Sequence, residues 1–360
     1  MSRPDQLISL AADIQRIAME LKAEASLKVP AVPVPLPTGP ATYTVKGFTH
    51  EYSTMDPWNL AHTAMILQKP GGEVWLFDAN GGGGWKLPVP IVHGSQCRWS
   101  RTDPHLLYYL FLNELRFLYI SDFANTGVVK KFKEYPNING MGESDISEDG
   151  DHFVLCSGRE VFVYEISQDR KITSFTAPWD FNNLYITPDN NVLLTATEGV
   201  YFRNSVLRKI ANRPGHMDVC RDANGDEICV WTNSGDPQPL NGCGNGIVKI
   251  RLSDGKQSCL LGKFGRDGPT GIDWSLAFHV SCPDQAGWAL VTTYAPADSN
   301  SSKPFANELL KVSLDGSGAI SLGKHGADSS TYSGQPKASV SHDGSRFCFT
   351  SRGDTVIRVL

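Results

Sequence analysis

Three histidines are the residues of this chain best suited to ligate a divalent metal or to move a proton. They are His216, His279 and His325, and each lies beside an apolar run that is typical of a β-strand. Imidazole binds divalent cations and titrates near neutral pH. No two of the three have the close spacing of a local metal motif. They can therefore form one site only if the fold brings distant segments together.

A second set of candidates consists of polar residues just ahead of apolar runs, together with tryptophans near the connections. The polar residues are Asp56, Arg98, Glu143, Asp145, Asn182 and Asp218, and the tryptophans are Trp85, Trp179, Trp231 and Trp274. Aromatic rings beside carboxylates and amides suit a sugar, because the ring stacks on the C–H face and the polar groups bond the hydroxyls. The alternatives stay open: a polar residue can line a wet channel or bond a turn, and a tryptophan can pack in the core.

These residues recur because the chain repeats every 35–50 residues or so from Thr42 onward. Each repeat has an apolar strand, a turn of the Asp-Gly or Asn-Gly type, two more strands and a polar connection. Short strands with turn signals at even spacing predict an all-β fold, a seven-bladed β-propeller with four-stranded blades. The innermost strands of a propeller start near one mouth of a central channel, so the polar candidates and His216 and His279 are expected there, with His325 in a connection that leads to it.

The seventh repeat ends after its third strand, whereas an orphan strand, Tyr43–Phe48, precedes the first repeat. We expect this strand to complete the last blade, closing the ring and removing an open edge. The propeller domain is therefore predicted to span residues 42–360.

Two short segments precede the propeller. Residues 1–28 are predicted to contain an amphipathic helix, with a seam of apolar residues at alternating spacings of three and four: Leu7, Leu10, Ile14, Ile17 and Leu21. Isoleucine at neighbouring seam positions favours a homotrimer, although the helix could instead dock on its own propeller or on a larger host assembly. Residues 29–41 form a proline-rich stalk that favours an extended polyproline II spacer.

The composition of the chain argues against some classes of binding partner. A net charge of −5 gives no basic field for nucleic acid, and no apolar run is long enough to span a bilayer. The N-terminus lacks the pattern of a signal peptide, which predicts synthesis in the cytoplasm. None of the eight cysteines forms a Cys-x-x-Cys pair, and buried reduced thiols are expected, with an intersubunit disulfide as the other option.

The spacing is similar to that of WD-repeat-like propellers, although Trp179-Asp180 stands alone and out of register. The segments around Trp58, Arg98 and His216 resemble the bacterial oligogalacturonate-lyase-like propellers. That resemblance implies a metal-dependent lyase with a histidine-lined mouth. In such an enzyme a divalent metal or Arg98 would neutralise a uronate carboxylate, and a histidine or Tyr332 would take the α-proton.

Helix, stalk and globular head together resemble bacteriophage virion appendage or decoration proteins. The favoured prediction is therefore a non-enzymatic adhesion or structural propeller of the virion-appendage kind, displayed as a homo-oligomer and binding a glycan or protein. The alternative prediction is the polysaccharide lyase.

Overall fold

The computed structural model describes residues 42–69, 72–88, 96–140, 144–212, 215–232, 240, 243, 246–262, 277–294 and 305–360. The propeller lies in one compact unit, Pro40–Leu360. The predicted helix within residues 1–28 and the stalk of residues 29–41 lie outside the described residues.

Seven antiparallel sheets form the seven blades of the predicted all-β propeller. In order along the chain, blade 1 contains β2 (Ala64–Gln68), β3 (Val74–Asp78) and β4 (Gly84–Lys86). Blade 2 contains β5 (Cys97–Trp99), β6 (Leu106–Phe111), β7 (Glu114–Tyr119) and β8 (Asp122–Lys131). Blade 3 contains β9 (His152–Ser157), β10 (Glu160–Glu165) and β11 (Arg170–Thr176). Blades 4 to 6 contain β12 (Asn183–Ile186), β13 (Val192–Ala196), β14 (Gly199–Asn204) and β15 (Val206–Asn212); β16 (Met217–Arg221), β17 (Glu227–Thr232), β18 (Ile247–Arg251) and β19 (Gln257–Leu261); and β20 (Ala277–Ser281), β21 (Trp288–Tyr294), β22 (Glu308–Ser313) and β23 (Ala319–Lys324). Blade 7 contains β24 (Ser339–Val340), β25 (Arg346–Ser351), β26 (Asp354–Val359) and β1 (Thr42–Val45).

The ring is closed by the two ends of the domain. Strand β1 pairs antiparallel with β26, and Tyr43 lies opposite Ile357. Phe48, just after β1, packs edge-on against Phe77 of blade 1 at 4.7 Å between ring centroids. The orphan N-terminal strand thus supplies the outer strand of blade 7, which is the pairing expected from the sequence.

The core lies between neighbouring blades, because both faces of a blade are covered. In β10 the four consecutive residues Val161–Tyr164 are all buried, so this strand reads as a continuous apolar run and not as an alternating one. Tyr108 of blade 2 meets Phe153 of blade 3 edge-on, at 5.6 Å between ring centroids. The outermost strands are far more exposed, as in β11, where six of seven residues are exposed.

Blades 1 and 3 depart from the predicted four strands. In the described part of the chain each has three, and the innermost position is held by isolated contacts. In blade 1 Trp58 forms a single bridge to Met65. Pro57, which has no N–H to donate to a ladder, precedes it, so the pairing stays short. In blade 3 Ser147 N–H donates to His152 O at 3.0 Å.

The cysteine prediction was wrong for one pair. Cys243 and Cys259 form a disulfide within blade 5, with 5.5 Å between their Cα atoms. The other six are free thiols, and all except Cys282 are buried. Among the described residues, no helix has the length and apolar character needed to cross a membrane.

Candidate functional site

A small cavity in the central channel is lined by residues of all seven blades. Its volume is about 60 Å³, and three predicted ligand-binding residues, Asp56, Asp145 and Asp218, meet in its wall. Because liquid water occupies about 30 Å³ per molecule, the cavity has room for small molecules only. None of the three predicted metal-binding histidines lines it.

A charged cluster centred on His342 occupies this end of the channel. Its Nδ1 lies 3.1 Å from Asp284 Oδ1, and its Nε2 lies 3.3 Å from Asp145 Oδ2 and 3.6 Å from Asp56 Oδ2. The Arg101 guanidinium contacts both Asp284 and the His342 ring. Five side chains from blades 1, 2, 3, 6 and 7 therefore share one network of charges.

The protonation of this cluster follows from burial and from those contacts. Burial and the Arg101 guanidinium oppose a charged imidazole, but the carboxylates of Asp56, Asp284 and Asp145 outweigh both and raise the pKa of His342 to about 10. Burial tends to raise the pKa of Asp145, yet the hydrogen bond and positive charge of His342 lower it to about 2. Burial raises the pKa of Asp56 to about 6. At neutral pH the centre of the cluster is thus an imidazolium held by carboxylates.

The same carboxylates also tie neighbouring blades together. Asp218 Oδ2 accepts a hydrogen bond from Cys282 N–H of blade 6 at 2.7 Å, and Asp56 Oδ2 accepts one from His342 N–H of blade 7 at 2.8 Å. Burial raises the pKa of Asp218 well above its ordinary value. Two predicted ligand-binding residues thus have structural hydrogen bonds as well as a place on the channel wall.

His216 and His279 meet toward the opposite end of the innermost strands. Their ring centroids are 4.4 Å apart, although they come from blades 5 and 6. Tyr52 Oη–H donates to His216 Nδ1 at 2.7 Å, and His279 Nε2–H donates to Gln335 Oε1 at 3.2 Å. His216 directly precedes β16, whereas His342 follows β24, so the two groups lie toward different mouths of the channel.

The end of the channel where His216 and His279 meet, here called the histidine mouth, holds imidazoles that are neutral at pH 7. Burial lowers the pKa of His216 to about 4 and that of His279 well below its ordinary value. Burial also lowers the pKa of the neighbouring His50 to about 3. His279 stacks on Tyr294 at 5.1 Å, and its Nδ1 is buried without a hydrogen-bond partner. A neutral imidazole at pH 7 can accept a proton or coordinate a cation, but gives no positive charge to an anion.

His325, the third predicted metal ligand, has both ring nitrogens engaged. Its Nε2–H donates to Thr293 O at 2.9 Å, and its Nδ1 accepts from Ala327 N–H at 3.0 Å. Its ring is buried, with a pKa lowered to about 4 by that burial. The structure therefore uses His325 to hold the connection after β23 against blade 6.

Arg98 is not placed to meet a ligand. Only 1% of its side chain is exposed, and its guanidinium donates to the backbone oxygens of Ser144 and Cys97 at 2.6 Å each. These bonds satisfy one backbone oxygen of its own blade 2 and one at the start of blade 3. The expectation that Arg98 neutralises a uronate is thus not matched by its position.

The remaining candidates are dispersed. Trp231 is fully buried, so the expectation of a tryptophan near the surface was wrong there. Trp179 packs edge-on against Tyr201 at 4.4 Å, and Asn182 is exposed ahead of β12. Trp85 is 57% exposed on the outer strand of blade 1. Glu143 and Trp274 lie outside the described residues.

A groove of about 820 Å³ opens beside the histidine mouth. Tyr332 and Lys337 line it, and the segment between them carries the Gln335 that bonds His279. Lys337 Nζ lies 3.6 Å from the centroid of the Tyr332 ring. Lys69 and Arg352 add two further cations to the lining, and Glu51 and Asp328 add two carboxylates, so the groove has an excess of one positive charge.

Lys337 is held in an unusual backbone conformation. Its φ is +39°, in the left-handed region that non-glycine residues rarely adopt. Burial lowers the pKa of its ammonium group, while Glu51 opposes that effect. Such conformations cost roughly 1–3 kcal/mol and are concentrated at functional sites.

Sequence reasoning missed the residues that organise both sites. Arg101, Asp284 and His342 follow the innermost strands, where the sequence resembles ordinary turns such as His342-Asp-Gly. These residues could have been found from the geometry of a propeller, because both ends of an innermost strand face the channel and not only its start. Gln335 and Lys337 gave no signal, since they lie in a polar connection with no motif.

A manganese site at the histidine mouth is not matched by the described donors. His216, His279 and Gln335 supply two imidazoles and one amide, His325 is engaged elsewhere, and manganese favours carboxylate and other oxygen ligands. Elsewhere in the described residues, Asp151, His152 and Glu165 have potential ligand atoms within 4.8 Å of one another. His152 already bonds Asp149 and Glu165 pairs with Arg170, so this group is explained by its own contacts.

No protein-family model and no curated protein matches this chain. Several solved structures, however, are similar to this chain. An oligogalacturonate lyase in complex with manganese matches with a TM-score of 0.58 and 11% identity, over 90% of this chain and 97% of that chain. The oligogalacturonate lyase of Vibrio parahaemolyticus matches with a TM-score of 0.61 and 12% identity, over 89% and 97%. A chain of the mitotic checkpoint complex matches with a TM-score of 0.56 and 12% identity, over 92% and 100%. At these identities the similarity establishes a shared propeller fold.

Proposed function

We propose that this protein is a binding propeller that takes an acidic saccharide in the groove beside the histidine mouth. The observation that carries the proposal is Lys337, whose backbone is strained and whose ammonium nitrogen lies 3.6 Å from the centroid of the Tyr332 ring. Nine described non-glycine residues have a positive φ, and Lys337 and Arg352 are the two that line this groove, where such strain can preorganise a cation for an anionic ligand.

The groove offers the two kinds of contact that an acidic sugar needs. Lys337, although only 4% exposed, lines the groove with Lys69 and Arg352, and these cations can pair with a carboxylate. Tyr332 is 59% exposed, so its ring can stack on the C–H face of a pyranose. A volume of about 820 Å³ is sufficient for a short oligosaccharide. Two structural neighbours are lyases of oligogalacturonate, an acidic sugar oligomer, which supports the choice of ligand class.

Titration calorimetry with a short oligogalacturonate tests this proposal. We expect binding that weakens with salt, and at least a tenfold loss of affinity in Lys337→Met, which removes the charge but keeps most of the side-chain length. Lys256→Met is the matched control, since Lys256 is exposed in a turn of blade 5. A neutral oligosaccharide that binds equally well, or an unchanged affinity in Lys337→Met, would contradict the proposal.

A lyase remains the second candidate, because Tyr52 and His216 form an acid–base pair. With a pKa of about 4, His216 is neutral at pH 7 and can take a proton, and the Tyr52 hydroxyl bonded to it at 2.7 Å can return one. A lyase would raise ultraviolet absorbance as the unsaturated product forms, and His216→Ala would abolish that signal. We expect no product, with or without added manganese.

We further propose that the propeller is displayed as a homo-oligomer, most simply a trimer, through the helix predicted within residues 1–28. The proposal rests on the sequence seam from Leu7 to Leu21 and on the stalk that follows it. Several copies of one weak saccharide site would bind a glycan surface with high avidity. An adhesion or virion decoration role follows from this arrangement and is part of the same proposal.

A further inference from the structure

Two free cysteines face each other across the boundary between blades 5 and 6, at the channel. Cys220 lies on β16, and Cys282 directly follows β20. Both line the small channel cavity, and their thiols are in hydrogen-bonding contact. Neither residue belongs to the groove or to the histidine mouth.

Two hydrogen bonds join the chain segments that carry Cys220 and Cys282. Cys282 N–H donates to Asp218 Oδ2 at 2.7 Å, two residues before Cys220. Arg221 N–H, the residue after Cys220, donates to Asp284 O at 2.9 Å. The pair is therefore bracketed by two hydrogen bonds that join the same two innermost strands. Cys220 and Cys282 also pack in the same apolar cluster between the two blades.

The two thiols differ in exposure. Cys282 is partly exposed, whereas Cys220 is 1% exposed. The cavity that both line has a volume of about 60 Å³, which has room for a small oxidant such as hydrogen peroxide. A small oxidant therefore has readier access to Cys282 than to Cys220.

We propose that Cys220 and Cys282 form a peroxide-oxidisable dithiol whose disulfide joins blade 5 to blade 6. The thiolate of Cys282 attacks hydrogen peroxide, the O–O bond breaks, and a sulfenic acid and hydroxide form. The sulfur of Cys220 then attacks the sulfenic sulfur, and its proton and the sulfenic hydroxyl leave as water. In sum, two thiols are oxidised to one disulfide, and one peroxide is reduced to two waters.

The environment of Cys282 sets the pH dependence of this reaction. Burial, contact with the Cys220 thiol and the nearby Asp218 carboxyl raise the pKa of Cys282 well above its ordinary value. Because only the thiolate attacks peroxide, the rate of Cys282 oxidation should rise about tenfold for each unit of pH between pH 7 and 9. The reaction is thus slow at neutral pH, and the disulfide accumulates under sustained exposure.

Peptide mass spectrometry of the full chain after peroxide treatment is the test. We expect a linked pair of peptides containing Cys220 and Cys282, two hydrogens lighter than the free peptides. Cys97 and Cys348, which are 1% and 0% exposed, should stay reduced. The Cys220→Ser variant should accumulate a sulfenic acid on Cys282 that dimedone traps, and the wild type should not.

The new disulfide should also stabilise the ring. It closes a loop of about 60 residues, so the Tm of the wild type should rise by about 3–6 °C and fall again with dithiothreitol. Cys220→Ser controls for reduction of the Cys243–Cys259 disulfide in the same treatment. Two results would overturn the proposal: overoxidation of Cys282 without a link, or no oxidation of Cys282 at pH 9.

Discussion

Replacing His342 with glutamine tests the charged cluster of the channel most directly. The substitution keeps a polar side chain of similar size but removes the positive charge that three carboxylates contact within 3.6 Å. Asp56, Asp145 and Asp284 would then have only arginine guanidinium groups to balance them. Removing one partner from a buried ionic network is costly, because the charges that remain stay desolvated.

The size of the effect can be worked from the protonation of His342. A pKa raised from 6.5 to about 10 corresponds to an upper bound of about 5 kcal/mol of stability. The side chain is 25% exposed, so solvent screening reduces this to about 2–3 kcal/mol. In a domain of this size that is a fall in Tm of about 4–6 °C.

The pH dependence separates this charge effect from a simple loss of packing. The folded pKa of His342 lies above its unfolded value, so its contribution is complete below pH 6.5 and is lost as the pH rises through about 10. The Tm difference between wild type and His342→Gln should therefore be largest near pH 6 and should nearly vanish at pH 10. Thermal unfolding followed by circular dichroism at each pH gives this difference.

His325→Gln is the matched control. Its pKa is lowered to about 4, so its contribution is present above pH 6.5 and is lost only as the pH falls through about 4. The Tm difference for this variant should be constant between pH 7 and 10. If the His342→Gln difference is equally constant, the imidazolium does not hold the cluster together and the reasoning fails.

Two further predictions concern closure and assembly. Deleting residues 42–49 should lower the Tm by on the order of 5–10 °C, since β26 loses its partner strand and two sheet edges open. As a control, removal of residues 1–28 alone should leave the Tm unchanged. A 42–49 deletion with the Tm of the wild type would count against ring closure. Replacing Ile14 and Ile17 with aspartate should convert an oligomer into monomers with intact propellers, measured by light scattering and circular dichroism; a wild type that is monomeric at micromolar concentration would reject self-assembly.

The histidines show where sequence reasoning succeeded and where it stopped. The repeat placed His216 and His279 near the starts of neighbouring innermost strands, and their rings do meet. The same reasoning grouped His325 with them, but its two nitrogens bond Thr293 and Ala327. A connection has no periodicity, so its path depends on contacts that only the folded chain provides.

The sequence by itself determined the propeller, its seven units and the strand that closes it. Those features follow from local patterns of apolar runs and turns that repeat along the chain. Only the tertiary structure decided which side chains meet. His342 lies in the sequence His-Asp-Gly, which is typical of a turn, yet it lies at the centre of a charged network drawn from five blades. The physical reason is that a channel gathers residues far apart in sequence, and their charges and protonation depend on neighbours that no local pattern specifies.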